Sequence, residues 1–199
     1  WLRLTKCLAG CIVLFVMLVL HPYDRGVWFA ENLPILLIVL LLVVSYRWFR
    51  FSNLSYLLMS CLIVIHTIGG NYTFERVPFG FVTELFDFSR NHYDRLGHFS
   101  VGFYAYPMAE ILLRNKLVNS KWILLLFPIF FIFAVAGGYE LFEWQFALMA
   151  DPEAGIAVLG SQGDVWDAQK DILSDALGSF VAMALFFGLN CQSIREGIR

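Results

Sequence analysis

Six long apolar runs set the strongest limit on how this 199-residue chain can fold. A helix needs about 20 residues to cross a hydrocarbon core about 30 Å thick, and each run comes near that length. Because backbone groups cannot stay unpaired in lipid, such runs fold as helices. The sequence predicts an all-α, polytopic membrane helix bundle, a single domain over 1–199. The predicted helices cover about 7–20, 33–49, 54–70, 96–113, 122–148 and 172–190.

The composition supports this fold class. Charged residues make up only 15% of the chain and hydrophobic residues 59%, whereas a soluble domain carries about 25% charged residues. These values exclude a disordered chain and an ordinary soluble enzyme. The basic residues sit in short turns, so nucleic acid is not an expected partner. The first run could instead be a signal peptide, but no small-x-small cleavage site precedes His21, which favours an uncleaved helix.

The distribution of basic residues predicts the orientation. Threading six helices places nine of the fourteen Lys and Arg residues on the side of the N-terminus, together with only two acids. The positive-inside rule makes that side cytoplasmic, so both termini are predicted to lie inside. The other fourteen acids and all four histidines then fall on the outer side.

The outer connection over about 78–90 is predicted to be an interfacial segment. A short helix there would place Phe79, Val82 and Phe86 on one face. Two interpretations remain open: the face lies on the outer leaflet and contacts membrane lipids, or the segment is a lid packed over the bundle.

Acids and histidines at the outer ends of three predicted helices form the candidate site. They come as pairs three or four residues apart, which places each pair on one helix face. Inserting an ionisable side chain into a membrane costs free energy, so such residues are interpreted as functional. The candidate catalytic residues are Asp94, His98, Glu140, Glu143, Asp167, Asp171 and Asp175.

Neighbouring carboxylates repel, so their charge needs compensation. A divalent metal ion could supply it, with Asp94, His98, Glu140, Asp171 and Asp175 as candidate ligands. Pairing with Arg95, Arg76 or Lys170 and protonation of some acids are the alternatives.

Simpler roles also stay open for several of these residues. Asp171 could cap a helix, as could Asp164 together with Asp167. Glu143 could be merely solvated, and Asp94 with His98 could be an intrahelical pair.

Three motifs carry a resemblance to a known family. They are Asn91 to Phe99 (NHYDRLGHF), Gly138 to Trp144 (GYELFEW) and Gly163 to Asp171 (GDVWDAQKD), followed by Asp175 and Gly178. Together they resemble the YjdF-like inner-membrane proteins over most of the chain. The resemblance implies a multi-pass protein of the bacterial inner membrane and implies no particular activity.

A more distant resemblance is to the VanZ-type membrane proteins. The matching positions are Asp94-Arg95 with His98-Phe99, then Glu140, then Asp164 to Asp167. The chain departs from that pattern at Ser161-Gln162, where a basic residue is expected, and at Asp175, where an amide is expected.

Three functions fit these observations. A membrane-embedded enzyme acting on a lipid or lipid-linked head group at the outer leaflet fits an acidic site beneath an aromatic-rich loop. An ion- or proton-coupled transporter fits acids inside the bundle, although Glu110 is the one acid in the inner half of the predicted spans. A structural protein with a saturated network of ion pairs is the third.

Overall fold

A computed structural model describes residue 15 and residues 18–198 of the chain, and within that range it contains helices and turns but no strand. The α-helices are α1 (Arg25–Ser45), α2 (Asn53–Tyr72), α3 (Gly80–Leu85), α4 (Tyr93–Val101), α5 (Ala105–Arg114), α6 (Lys121–Met149), α7 (Pro152–Leu159), α8 (Asp167–Leu189) and α9 (Cys191–Gly197).

Four of these helices, α1, α2, α6 and α8, are long and apolar enough to cross a membrane. They match four of the six predicted helices, with shifted ends. The predicted helix over about 7–20 falls largely on residues outside the described part of the chain. The all-helical membrane class is supported, whereas a count of six spans is not established by these residues.

Helix α1 begins at Arg25 instead of at residue 33 because Asp24 caps it. The Asp24 carboxylate accepts a hydrogen bond of 2.8 Å from the Val27 amide, which satisfies one of the unpaired donors at the helix start. Pro34, expected in the first turn, therefore lies inside the helix. The earlier start also brings Glu31 into the membrane-spanning part of the protein.

The predicted helix over 96–113 is broken into α4, a 3₁₀ turn over Gly102–Tyr104, and α5. The break lies where α4 meets α8. A Cβ atom on Gly102 would come 2.4 Å from the Asp175 carbonyl oxygen, and one on Gly178 would come 2.0 Å from the Phe99 carbonyl oxygen. Glycine at both positions lets the two backbones touch, and this contact holds α4 and α8 together at the site.

Only Gly80–Leu85 of the predicted 78–90 segment is helical. Phe79 and Phe86 lie just outside this helix, so the predicted helix face of Phe79, Val82 and Phe86 does not form. The Phe79 ring contacts Tyr93 at 5.4 Å between centroids. Phe81 and Leu85 are exposed instead, at 68% and 74%.

The two halves of the bundle differ in packing. The predicted inner half contains an apolar core from α5, α6 and α8, whose largest fully buried members include Phe186, Ile132 and Met183. The predicted outer half carries the buried charged groups of α4, α6 and α8.

Candidate functional site

His98 and Asp175 form the centre of the site. His98 Nδ1 lies 3.0 Å from Asp175 Oδ2, and both side chains are buried. An ionised carboxylate only accepts hydrogen bonds, so Nδ1 is the donor and Nε2 is left available. Nε2 lies 3.7 Å from Asp94 Oδ1 and 3.7 Å from Asp171 Oδ1. The structure therefore gathers three of the predicted carboxylates around one predicted imidazole.

Two arginines neutralise the acids on the other side of this centre. Arg95 contacts both Asp167 and Asp171, and Arg90 Nη1 lies 2.5 Å from Asp167 Oδ1. Arg90 also donates to the carbonyl oxygens of Gly160 and Ser161 at 2.9 Å each. Arg95 was expected as a partner of these acids. Arg90 was not, because it lay in the predicted interfacial segment.

Asp164 completes this network at the surface. Its carboxylate lies 2.6 Å from Lys170 Nζ and accepts a hydrogen bond from the Trp166 amide. The hydrogen bond from Lys170 lowers the pKa of Asp164. Asp164 thus accepts from the backbone just before α8, but α8 begins without a side-chain cap. Neither Asp164 with Asp167 nor Asp171 caps a helix as the capping alternative proposed.

A reciprocal amide pair joins the loop before α4 to the loop between α7 and α8. Asn91 donates from its backbone to the Gln162 side chain at 3.0 Å, and Gln162 donates back to the Asn91 carbonyl at 3.0 Å. The Asn91 side chain also donates to the carbonyl oxygens of Glu75 and Val77. These bonds fix the start of α4, and with it the position of Asp94 and His98.

A second buried polar group comes from three helices. The Tyr139 hydroxyl donates to Glu31 Oε2 at 2.9 Å and lies 3.5 Å from His66 Nε2. The rings of His98 and Tyr139 are 6.3 Å apart, so the two groups adjoin. Glu31 was missed because α1 was predicted to begin after it; the Asp24 cap was the signal that would have included it.

An apolar cavity of about 450 Å³ extends from these two groups. Its polar end is formed by Glu31, His66, Asp94, His98, Tyr139, Glu143 and Asp175. From there it runs along α1 past Ile35, Ile38 and Leu42 to Ser45. The fourteen helical steps from Glu31 to Ser45 correspond to about 21 Å at 1.5 Å per residue. The site is therefore the polar end of a long apolar space.

The two predicted glutamates of α6 differ in their surroundings. Glu143 is 7% exposed and lines the cavity, which argues against a merely solvated side chain. Glu140 does not line the cavity, and one of its carboxyl oxygens is buried with no hydrogen-bond partner. Asp167 is placed against the arginines, away from the cavity.

The candidate metal ligands reduce to three in the described residues. Asp94, His98 and Asp171 each offer a ligand atom within 4.8 Å of the other two. Two carboxylates and one imidazole suit a divalent cation, although Arg95 already contacts Asp171. Asp175 would orient His98 from its other nitrogen, as an outer-shell carboxylate does. Glu140 is not part of this group.

Glu110, the one acid of the predicted inner half, has hydrogen-bond partners for both of its carboxylate oxygens. It accepts hydrogen bonds from the Ser52 backbone and hydroxyl, from Ser55 and from Arg114. Its charge is thus compensated locally, by Arg114 and by the start of α2.

Comparison with known proteins identifies the relatives of this chain. The family described as "Predicted membrane protein (DUF2238)" matches residues 4–191. The chain belongs to this family. It is also 33% identical over 179 residues to the inner membrane protein YjdF of Escherichia coli (strain K12), covering 89% of this chain and 85% of that protein. The YjdF-like resemblance seen in the sequence motifs is confirmed. No solved structure matches the chain.

Proposed function

We propose that this protein is a membrane-embedded enzyme that acts on the head group of a lipid or lipid-linked molecule. One observation carries the proposal: the His98–Asp175 pair lies at the polar end of an apolar cavity long enough for an aliphatic chain. One leaflet of a bilayer is about half of 30 Å thick. A space of about 21 Å therefore accommodates a complete chain, with its head group at His98.

The chemistry proposed for this end is proton transfer. Asp175 fixes the tautomer and orientation of His98, so that Nε2, beside Asp94, acts as a general base or acid. Asp94, 3.7 Å from Nε2, is a second proton acceptor and stabilises the imidazolium that forms. Arg95 and Arg90 hold the acids of α8 in place from the other side.

We further propose that this end faces the outer side of the inner membrane, with both termini cytoplasmic. The basic turns Arg47 to Asn53 and Arg114 to Lys121 support this orientation, and the name of the relative supports the inner membrane. The exposed Phe81 and Leu85 suit an outer segment lying on lipid.

A structural role is the second candidate. The arginine and carboxylate network of α4 and α8 would stabilise the bundle with or without chemistry. It does not account for the cavity or for Glu143, whose carboxyl group makes no hydrogen bond or ion pair within the described residues. A transporter is less well supported, because Glu110 already has hydrogen-bond partners for both carboxylate oxygens.

Lipid composition tests the proposal. Wild type, His98→Gln and the exposed-acid control Glu84→Gln are expressed at equal levels in bacteria lacking a relative of this protein. Whole-lipid mass spectrometry is then compared among them. We expect wild type and Glu84→Gln to change the amount of the same lipid class, and His98→Gln to leave it unchanged. Equal lipid profiles for wild type and His98→Gln, with both folded, would reject the enzyme.

A further inference from the structure

The charge of the cavity wall is one-sided. Among the described residues, its polar end carries four carboxyl groups, two imidazoles and one phenol, and no Lys or Arg side chain lines it. The arginines of the site, Arg90 and Arg95, contact acids behind the wall. An anionic head group would therefore meet carboxylates with no Lys or Arg on the wall to bind it, whereas a cationic one would be attracted.

Glu143 gives a second, independent indication. It is more than nine-tenths buried, lines the cavity, and makes no hydrogen bond or ion pair within the described residues. Burying a carboxyl group without a hydrogen-bond or ion-pair partner lowers the stability of the fold. Glu31, also on the wall, accepts only from Tyr139 at hydrogen-bond distance. An ammonium group has three donors and no acceptor, which is what two such carboxyl groups require.

The aromatic groups at this end suit the same ligand. Phe74, Tyr104 and Tyr139 line the cavity, and Phe74 stacks edge-on against His66 at 5.0 Å. Aromatic faces attract ammonium groups and repel anions. Beyond these rings the cavity wall along α1 is aliphatic. The cavity follows one helix, so it fits one aliphatic chain better than two.

We infer that the cavity binds a single-chain amphiphile with a cationic amine head group, the amine between Glu31 and Glu143 and the chain along α1. This inference rests on the proposed function, since it names the class of lipid that the site would take. An anionic lipid bridged by a divalent cation is the competing occupant.

Three probes with the same chain separate these possibilities: hexadecylamine, hexadecanol and hexadecyl phosphate. Their binding to the full-length protein in neutral maltoside micelles is measured by native mass spectrometry. We expect the amine to bind at least about tenfold more tightly than the alcohol, the value of one charged hydrogen bond. Glu143→Gln should remove that advantage, and Glu84→Gln should keep it. A phosphate that binds as tightly as the amine, with or without added Mg²⁺, would overturn the inference.

A pair of alanines on α6 tests the position of the chain. Ala136 is buried and lines the cavity, whereas Ala134 is exposed and does not. We expect Ala136→Trp to weaken all three probes and Ala134→Trp to weaken none. Equal binding in both variants would place the chain elsewhere.

The two proposals fail separately. Amine-selective binding without any change in cellular lipids would retain this inference and reject the enzyme. A lipid change that depends on His98, without preference for the amine, would retain the enzyme and reject this inference.

Discussion

His98 on α4 and Asp175 on α8 meet where the two helix backbones come closest. The 3.0 Å contact between Nδ1 and Oδ2 lies beside the contact of Gly102 with the carbonyl oxygen of Asp175. Three features thus coincide where α4 packs against α8: the break in the predicted fourth helix, the glycine contact and the His98–Asp175 pair. Loss of any part should disturb the others.

Removing the partner of His98 should destabilise the protein. Asp175→Ala leaves a buried imidazole N–H unpaired, which costs about 1–3 kcal/mol in the free energy of unfolding. Asp175→Asn keeps an acceptor oxygen and should cost less than half as much. Denaturant titration in detergent, followed by circular dichroism, measures both. Equal losses in the two variants would show that the charge of Asp175, and not its hydrogen bond, stabilises the fold.

The helix contact can be tested with methyl groups. Gly102→Ala and Gly178→Ala place a carbon 2.4 Å and 2.0 Å from backbone atoms of the facing helix, so the helices must separate. We expect a loss of about 1–3 kcal/mol in each, as for other overpacked interiors. Gly188→Ala is the matched control, because nothing lies within 4 Å of its added carbon. Losses of equal size in Gly178→Ala and Gly188→Ala would contradict the close contact.

The sequence predicts much of this arrangement, because apolar length and helical spacing are local properties. Asp94 with His98 and Asp171 with Asp175 are each four residues apart, so each pair shares a helix face in any helical fold. Which faces meet depends on tertiary contacts. Gly102 and Gly178 bring α4 against α8, and nothing within either segment shows that the two glycines are partners.

The missed residues have a similar explanation. Glu31 precedes the apolar run that was used to place the helix, so its burial follows only from the Asp24 cap and from packing against Tyr139. Arg90 was assigned to a surface segment, whereas the Asn91–Gln162 pair fastens the end of that segment to the loop before α8. Long-range pairing of loops leaves little trace in one sequence.

The metal hypothesis predicts binding of a divalent cation, and the structure reduces the five candidate ligands to three. Added Co²⁺ should bind at Asp94, His98 and Asp171, whose ligand atoms lie within 4.8 Å of one another. Asp94→Asn and His98→Ala should abolish the visible absorption of bound Co²⁺. Glu140→Gln should retain it, because Glu140 is outside this group. Absorption that survives in Asp94→Asn would place the ion elsewhere, and its loss in Glu140→Gln would restore that glutamate as a ligand.

The orientation can be tested at two exposed turns. Val165 lies before α8 and is 84% exposed, and Leu117 lies between α5 and α6 and is 62% exposed. In a variant lacking the four native cysteines, Val165→Cys should react with a membrane-impermeant maleimide on intact spheroplasts. Leu117→Cys should react only after permeabilisation, because its turn carries basic residues that favour the cytoplasmic side. The reverse labelling pattern would place the His98 end of the cavity in the cytoplasmic leaflet. The lipid substrate would then have to be drawn from that leaflet.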